Sequence, residues 1–180
     1  MTRTVYINGQ YLPENEAKIS IFDRGFLMAD SVYEVSAVID GKLVDNLAHL
    51  HRLERSLREL AMPLPLPLAD IVAVQKQLIA ANQLQEGAVY LQVSRGVADR
   101  DFLYDPAMTP TLLLFTQARA IIDVPAAQKG LRVMSQADIR WARRDIKTTQ
   151  LLAQSLAKMA AKAAGYDDAW MVDGAGNVTE

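Results

Sequence analysis

The residue types best suited to chemistry cluster in the segment RRDIKTTQ, residues 143–150. Lys147 follows Arg143 and Arg144 and precedes a stretch that is almost free of charge and has a helical pattern. A lysine becomes a nucleophile when desolvation, neighbouring cations or the positive end of a helix lowers its pKa. Residue chemistry alone still favours a solvent-facing lysine, because charged clusters are usually solvated faces. The segment leaves both interpretations open.

Two arginines elsewhere have the chemistry to bind anions. Arg52 lies on the polar side of a predicted amphipathic helix, and its planar guanidinium suits a phosphate. The alternative for Arg52 is a surface ion pair with Glu54 or Asp45. Arg100 lies in the charged loop RGVADRDFLYD, where it can meet a carboxylate or belong to an ordinary polar connection.

Several other kinds of chemistry are excluded by the spacing of the histidines and by motifs and residue types that the sequence lacks. His49 and His51 are two residues apart, which does not place them on one helix face, so we predict no metal pair there. The sequence has neither a zinc-protease motif nor a phosphate-binding P-loop motif, and it has no serine nucleophile elbow. It has no cysteine, which excludes disulfides, a cysteine nucleophile and a thiolate metal site.

The composition is that of an ordinary globular protein. The chain has 180 residues, 51% of them hydrophobic and 22% charged, which suits one large domain or two small ones. A net charge of −2 and a pI of about 5.7 give no electrostatic footprint for nucleic acid. The start MTRTVYINGQ has no apolar signal core, and no stretch is apolar and long enough to span a membrane. We therefore expect a cytoplasmic protein without a nucleic-acid or membrane partner.

The elements that must position these residues begin with paired strands. Asn8-Gly9 and Asp40-Gly41 each stand between strand-like runs, which is a strong hairpin signal. Leucines at helical spacing predict an amphipathic helix over LAHLHRLERSLRELAM, and a second helix follows the proline-rich PLPLPLAD. AVYLQVSRG and PTLLLFTQAR are further strand candidates. The first part of the chain therefore has an α+β pattern.

The second part of the chain follows a predicted interdomain linker over residues 119–130, between a small domain at 1–118 and the start of a larger one at 131–180. It contains a strand, a helix expected from Thr148 or Thr149 to Ala164, and another strand. These few elements are too little for a core of their own. We therefore expect the chain to be a piece of a longer protein, or to complete its core in trans.

Taken in order, four segments resemble the fold-type IV, or class IV, pyridoxal-phosphate aminotransferases. They are FDRGFLMADSVYEV, LAHLHRLERS, YLQVSRG and the long stretch that begins with DIRWARRDIKTTQ and ends with VTE. Within that family the sequence is most similar to the D-amino acid transaminases. The resemblance implies a two-domain fold, with a small N-terminal α/β domain and the first part of a larger mixed domain.

The resemblance also implies how the chain would bind its cofactor, pyridoxal 5′-phosphate. Lys147 matches the lysine that forms a Schiff base with the cofactor and then moves a proton between the substrate Cα and C4′. Glu180 matches the acid that pairs with the pyridinium nitrogen and keeps the ring an electron acceptor. Arg52 matches the arginine that holds the cofactor phosphate, and Arg140 matches a position close to the cofactor.

On the substrate side, the resemblance assigns Tyr33 to the active-site tyrosine near the substrate carboxylate. Arg100 matches the arginine of the carboxylate trap, and Val35 a residue that lines the substrate pocket. Phe102 stands where the D-amino acid enzymes usually carry a histidine. Because a phenylalanine cannot donate a hydrogen bond to a carboxylate, this departure leaves room for a looser substrate pocket.

The implied activity is a ping-pong amino transfer between a D-amino acid such as D-alanine and a 2-keto acid, in a homodimer whose subunits share each active site. The alternatives within the fold are an (R)-amine transaminase, a branched-chain amino acid transaminase and an aminodeoxychorismate lyase. From another class, the chain can be a non-catalytic pyridoxal-phosphate-binding domain.

Overall fold

Residues 2–180 are described by a computed structural model, in which the strands form two separate β-sheets. One unit comprises the chain up to Ile121 together with Asp145–Thr149, and the other comprises Ile122–Arg144 and Gln150–Glu180. The predicted domain boundaries at 118 and 131 stay a prediction. Residues 145–149, which contain Lys147, lie with the first unit rather than with the chain on either side of them.

The first unit is built on a six-stranded antiparallel sheet in the order β2-β1-β6-β5-β3-β4. The neighbouring strands β3 and β5 are paired over eight consecutive residues. The strands are β1 (Thr4–Ile7), β2 (Gln10–Pro13), β3 (Ser31–Ile39), β4 (Lys42–Leu43), β5 (Gly87–Ser94) and β6 (Thr111–Ala118). The helices are α1 (Arg24–Met28), α2 (Asn46–Glu59) and α3 (Leu68–Ala81).

Both predicted hairpins are confirmed. Asn8 and Gly9 have φ values of 45° and 94°, and Asp40 and Gly41 have values of 49° and 70°. A tight turn with two consecutive positive φ angles has the twist that antiparallel strands need, and Asn-Gly and Asp-Gly adopt it at low cost. These turns join β1 to β2 and β3 to β4, so the turn chemistry fixes the register of both outer pairs.

The core of the first unit lies between one face of the sheet and helices α2 and α3. Leu50, Leu53 and Leu57 form the buried stripe of α2, at the spacing that predicted an amphipathic helix. Alternate residues of β3 point the same way, so Val32 and Val38 are fully buried. The opposite face of β3 presents Tyr33 and Val35, and this alternation decides which side chains can take part in a site.

The second unit contains two parallel strands and two helices: α4 (Pro125–Lys129), β7 (Val133–Ala137), α5 (Leu152–Ala163) and β8 (Asp168–Val172). Gly165, with a φ of 81°, follows the end of α5, where a left-handed glycine commonly ends a helix. The predicted start of α5 at Thr148 or Thr149 is wrong by three or four residues. The reason is that residues 147–149 are extended and pair with β3.

Among residues 2–180, no helix combines the length and the apolar character that a membrane crossing requires. The same residues contain no group of three or more acidic or histidine side chains that could hold a metal ion.

Candidate active site

Residues 145–149, the Lys147 segment, lie along the first residues of β3 and form backbone hydrogen bonds with them. The Tyr33 amide donates to the Lys147 carbonyl at 3.0 Å, and the Thr149 amide donates to the Ser31 carbonyl at 3.2 Å. Thr148 forms an antiparallel bridge with Val32 between them. Because sheet pairing fixes both the register and the face of a residue, the backbone of Lys147 is placed by β3.

Side chains of β3 and α2 reinforce this placement. The Ser31 and Thr149 hydroxyl oxygens lie 2.5 Å apart, and Ser31 is fully buried. Arg55 of α2 donates to both the carbonyl and the carboxylate of Asp145, at the start of the segment. The lysine therefore stands on a segment fastened at both ends to the first unit.

Replacing Thr149 with valine is expected to lower the free energy of unfolding by about 1 to 2 kcal/mol, because the buried Ser31 hydroxyl loses its partner. Urea denaturation of the single variants Ser31→Ala and Thr149→Val and of the double variant measures this cost. The double variant should recover part of the loss, since neither hydroxyl is then left unpaired. Strictly additive losses would contradict a direct hydroxyl pair.

The Lys147 amine lies over the ring of Tyr33. Its Nζ atom is 3.2 Å from the Tyr33 phenol oxygen and 4.4 Å from the ring centroid. Lys147 is half-buried. The structure therefore brings together two residues that lie 114 positions apart in the sequence.

The predicted reason for a reactive lysine is wrong in one respect. Lys147 precedes the first residue of α5 by five positions, so it does not lie at the helix N-terminus. Helix-end charge falls off within one turn, and the backbone around Lys147 pairs with β3 instead of joining the helix. The neighbour that the structure does provide for the amine is the Tyr33 side chain.

Arg52 is held by a buried carboxylate that the sequence analysis missed. Its Nε and Nη2 atoms each donate to Glu34 at 2.7 Å, and His49 Nδ1 lies 2.8 Å from the same carboxylate. The Glu34 side chain is 2% exposed, and its hydrogen bonds with Arg52 raise the pKa of the guanidinium. The surface partners predicted as the alternative, Glu54 and Asp45, are therefore wrong. The signal in the sequence that could have predicted this pairing was Glu34 itself, an acidic residue at a position of β3 whose side chain is buried.

Arg52 keeps access to an anion despite this pairing. Its side chain is 44% exposed, and the bidentate contact with Glu34 fixes the plane of the guanidinium. A preoriented arginine loses less conformational freedom when it binds a phosphate. Glu34 is therefore a supporting residue for the position that the sequence assigns to the cofactor phosphate.

The sheet face that carries Tyr33 and Val35 is aromatic. Tyr33 stacks on Tyr90 with a centroid separation of 5.6 Å, and Tyr90 stacks on Phe115 at 4.8 Å. Burial, and then the neighbouring Tyr33, raises the pKa of Tyr90 to about 12, so this phenol stays neutral at ordinary pH. Val35 is exposed on the same face. Tyr90 and Phe115 were not predicted, because no local pattern distinguishes them from other strand aromatics.

Arg100 lies in the exposed loop between β5 and β6. Its guanidinium carbon is 5.5 Å from the ring centroid of Phe102. Within residues 2–180, no hydrogen bond joins Arg100 to Tyr33 or Lys147. The structure therefore brings Lys147, Tyr33 and Val35 to one side of β3. It does not bring Arg100 to them, because the neighbour of Arg100 is Phe102 in its own loop.

In the second unit, Arg140 and Glu180 form an ion pair around a buried carboxylate. Arg140 donates to Glu180, to the Thr179 carbonyl at 3.0 Å, and to both oxygens of Asp138. The Asp138 side chain is fully buried, and it also accepts from Thr179 Oγ1 at 2.6 Å and from Arg144 Nε at 2.9 Å. Asp138 therefore fixes Arg140, and Arg140 in turn fixes Glu180.

Two carboxylates paired with arginines, the buried Asp138 and the half-buried Asp30, make stability dependent on pH. The hydrogen bond from Arg140 chiefly holds the pKa of Asp138 well below its ordinary 3.8. Burial raises the pKa of Asp30 in the first unit, but hydrogen bonds from Arg95 and Arg24 outweigh it, so that pKa is also lowered.

We expect the free energy of unfolding to fall as the pH drops below about 4, because a carboxyl with a lowered folded-state pKa stabilises the fold only while it is ionised. The contribution is complete above the ordinary value and is lost as pH falls through the folded-state pKa. Urea midpoints measured from neutral pH down to about pH 3 check this. In Asp138→Asn the free energy of unfolding should fall less steeply as the pH is lowered. An unchanged pH dependence in that variant would contradict the lowered pKa assigned to Asp138.

The site residues fall within a known sequence family. Residues 31–180 match the family described as amino-transferase class IV. The chain therefore belongs to the class IV aminotransferases, as its sequence predicted.

Among individual relatives, the D-alanine aminotransferase of Staphylococcus haemolyticus is 36% identical over 157 residues, which cover 86% of this chain and 55% of that protein. The D-alanine aminotransferase of Bacillus licheniformis is 34% identical over 170 residues, covering 93% of this chain and 59% of that protein. The chain thus spans little more than half the length of these relatives.

The predicted fold class is also confirmed by a solved structure. The branched-chain amino acid aminotransferase from Escherichia coli matches with a TM-score of 0.85 at 17% identity, over 100% of this chain and 61% of that one. At that identity the match shows the fold. Family membership makes pyridoxal 5′-phosphate the cofactor, in agreement with the prediction, and another branched-chain aminotransferase structure of this fold contains pyridoxamine 5′-phosphate.

The described residues fit this cofactor by their chemistry. The first unit offers an amine at Lys147 for covalent attachment and a preoriented guanidinium at Arg52 for the phosphate. The second unit offers the Glu180 carboxylate, held by Arg140, for a protonated ring nitrogen.

Proposed function

We propose that this chain supplies the catalytic lysine of a D-amino acid transaminase that moves an amino group from a D-amino acid such as D-alanine to a 2-keto acid. The observation that carries the proposal is the placement of the Lys147 amine, 3.2 Å from the Tyr33 phenol oxygen on a segment paired with β3. An amine fixed on a strand edge can reach the same reacting atom in every turnover.

In this proposal Lys147 first holds the cofactor and then, once released by the amino donor, acts as the general base. Once free, the Lys147 amine would accept the proton of the substrate Cα and donate it at C4′. Bound pyridoxal phosphate supplies an electron sink for this proton transfer. The Tyr33 phenol oxygen is within hydrogen-bond reach of the amine and orients it between these two tasks.

Arg52 is proposed to bind the cofactor phosphate, with Glu34 holding the guanidinium plane. Glu180 is proposed to pair with the ring nitrogen. Arg140 holds the Glu180 carboxylate through an ion pair, and a carboxylate beside the ring nitrogen favours the protonated form of that nitrogen. These roles rest on the match of each position to the family pattern.

Tyr33, Val35 and Arg100 are proposed to contact the substrate. Val35 offers exposed apolar surface beside the aromatic face, which suits a small side chain such as that of alanine. The Phe102 ring lies near Arg100 and gives the substrate carboxylate an apolar neighbour instead of a hydrogen-bond donor. We therefore expect the substrate carboxylate to be held less strictly than in a site with a hydrogen-bond donor at position 102.

A homodimer is part of the proposal, and an exposed apolar patch supports it. The Ala98 amide donates to the Phe22 carbonyl, and Asp23 bridges Val97, so two apolar segments lie side by side. Large exposed apolar side chains that lie close together are typical of protein–protein interfaces. The exposed side chains are Ile21, Phe22, Phe26, Val97, Phe102 and Leu103. A cytoplasmic location stays a prediction.

An amino-transfer assay tests the proposed function. The chain is supplied with pyridoxal phosphate and 2-oxoglutarate, together with either D-alanine or L-alanine, and pyruvate and glutamate are measured. We expect both products from D-alanine and little from L-alanine. Turnover of L-leucine alone would support the branched-chain alternative. Pyruvate from aminodeoxychorismate without a keto acid would identify the lyase, and no product in any arm would contradict an enzymatic role for this chain.

A further inference from the structure

Beneath the loop that carries Arg100 lies a buried ion cluster that no proposed catalytic role uses. Arg24 and Arg95 are 3% and 6% exposed, and they share the carboxylate of Asp30. Arg24 Nε donates to Asp30 Oδ2 at 2.8 Å, and Arg95 donates to both oxygens of Asp30, at 2.8 and 3.1 Å. Buried arginines are rare unless they are paired, so a cluster of this kind calls for a specific reason.

In the cluster the guanidinium groups of Arg24 and Arg95 share one carboxylate, that of Asp30. Backbone carbonyl groups accept further hydrogen bonds from both arginines. Arg95 Nη2 donates at 3.0 Å to the carbonyl of Leu60, the C-cap residue that follows α2, where the helix end carries partial negative charge. Asp23 is also buried, but its oxygens accept from the Gly25 amide and from the Ser94 hydroxyl. Arg24 therefore needs a further acceptor, and it finds one in the loop.

That acceptor ties the cluster to the loop between β5 and β6. Arg24 Nη1 donates to the Asp101 carbonyl at 2.6 Å. Three residues further along, the ring of Tyr104 covers both guanidinium groups, with its centroid 3.8 Å from Arg95 Cζ and 5.5 Å from Arg24 Cζ. Arginine over an aromatic face is favourable, most of all when the cation is shielded from water.

The two contacts of the loop with the buried cluster, through Asp101 and Tyr104, lie on either side of Phe102 in the sequence. Asp101 directly follows Arg100. The Asp101 carboxylate accepts from the Leu103 amide at 3.1 Å, which forms a local turn. Within one subunit Phe102 and Leu103 are strongly exposed, so packing of their side chains against the rest of the subunit does not hold this part of the loop. Its conformation is therefore set by the contacts of Asp101 and Tyr104 with the buried cluster.

We propose that Arg24, Arg95 and Tyr104 are positioning residues, which fix the loop so that Arg100 and Phe102 are presented in one conformation for recognition of the substrate carboxylate. The inference rests on the proposed function of Arg100. It differs from a purely stabilising role of the cluster, because weakening the attachment at Tyr104 loosens the loop and leaves the sheet and its helices intact.

The test combines amide hydrogen exchange with steady-state kinetics on the whole chain. Tyr104→Ala removes the exposed half of the attachment without opening the core, and Arg24→Lys keeps the buried charge but loses the planar fork. Tyr104→Phe keeps the ring, and Asp99→Ala changes an exposed residue of the same loop. Exchange is measured at the Leu103 amide and at amides of β5 as the internal reference.

We expect exchange at Leu103 to rise about tenfold in Tyr104→Ala, the effect of losing a partly buried cation–π contact, while β5 amides keep their protection. Arg24→Lys should also speed exchange in the loop, whereas Tyr104→Phe and Asp99→Ala should match the parent. In kinetics, the KM for D-alanine should rise about tenfold in Tyr104→Ala with kcat little changed, because binding is lost and the chemistry at Lys147 is not touched.

Unchanged exchange at Leu103 in both Tyr104→Ala and Arg24→Lys would overturn the proposal. A fall in kcat with no change in KM would also overturn it, because that pattern indicates a role other than placing the carboxylate-binding loop. If the parent chain transfers no amino group but both variants still speed loop exchange, the positioning role is supported and only the proposed function is overturned.

Discussion

Replacing Lys147 with alanine is expected to abolish covalent attachment of pyridoxal phosphate and to lower amino transfer by at least about a thousandfold, since the same amine holds the cofactor and moves the proton. Visible absorption of the protein after removal of free cofactor measures attachment, and the D-alanine assay measures transfer. The effect should be nearly complete, because the hydrogen-bond partner of the amine, at 3.2 Å, is the phenol of Tyr33, which is a poor substitute base.

A matched control is Lys76→Ala, which removes an exposed lysine from α3 in the same unit. This variant should keep both attachment and activity. Tyr33→Phe is informative between these extremes, because the ring stays under the amine and only the hydrogen bond is lost. We expect it to retain attachment with reduced turnover. If Lys147→Ala kept the absorption band, the amine that holds the cofactor would have to lie elsewhere.

The second large effect is expected at Asp138, which no motif marks. Replacing it with alanine leaves the guanidinium groups of Arg140 and Arg144 without their shared carboxylate and removes the shorter of the two hydrogen bonds of the Thr179 hydroxyl. The Arg140 side chain is buried and keeps only the exposed Glu180 as a carboxylate partner, so we expect the free energy of unfolding to fall by about 3 kcal/mol. Because Asp138 also fixes Arg140, Glu180 should lose its defined position.

Tryptophan fluorescence during urea unfolding measures this loss in the second unit, since both tryptophans, Trp141 and Trp170, belong to it. Asp167→Ala is the matched control, because Asp167 pairs with the exposed Arg132 and such surface pairs contribute little. A smaller loss in Asp138→Ala than in Asp167→Ala would contradict the structural role assigned to Asp138.

Features that depend on local chemistry could be predicted from the sequence. Asn8-Gly9 and Asp40-Gly41 specify their turns through the φ angles that these residues tolerate, and the leucine spacing of α2 specifies its buried face. Both signals lie within a few residues of the structure that they determine. The family resemblance likewise rests on short segments in a fixed order, and the family match confirms it.

Features that depend on distant partners could not be predicted in this way. Residue chemistry alone favoured a surface role for Lys147, and the expected helix start was displaced because β3, more than 100 residues earlier, draws residues 147–149 into an extended conformation. The partner of Arg52 is Glu34, 18 residues away on a different element. No local pattern encodes such pairings, since they form only when the sheet and α2 pack together.

Reduction with borohydride tests the central claim most directly. The chain is incubated with pyridoxal phosphate, reduced, digested and mapped by mass spectrometry, which locates a cofactor linked to a lysine amine. The structure predicts one adduct, on the peptide that contains Lys147, and its loss in Lys147→Ala. An adduct at another lysine with Lys147 unmodified, or labelling spread over exposed lysines such as Lys76, would contradict the assignment of Lys147 as the catalytic residue.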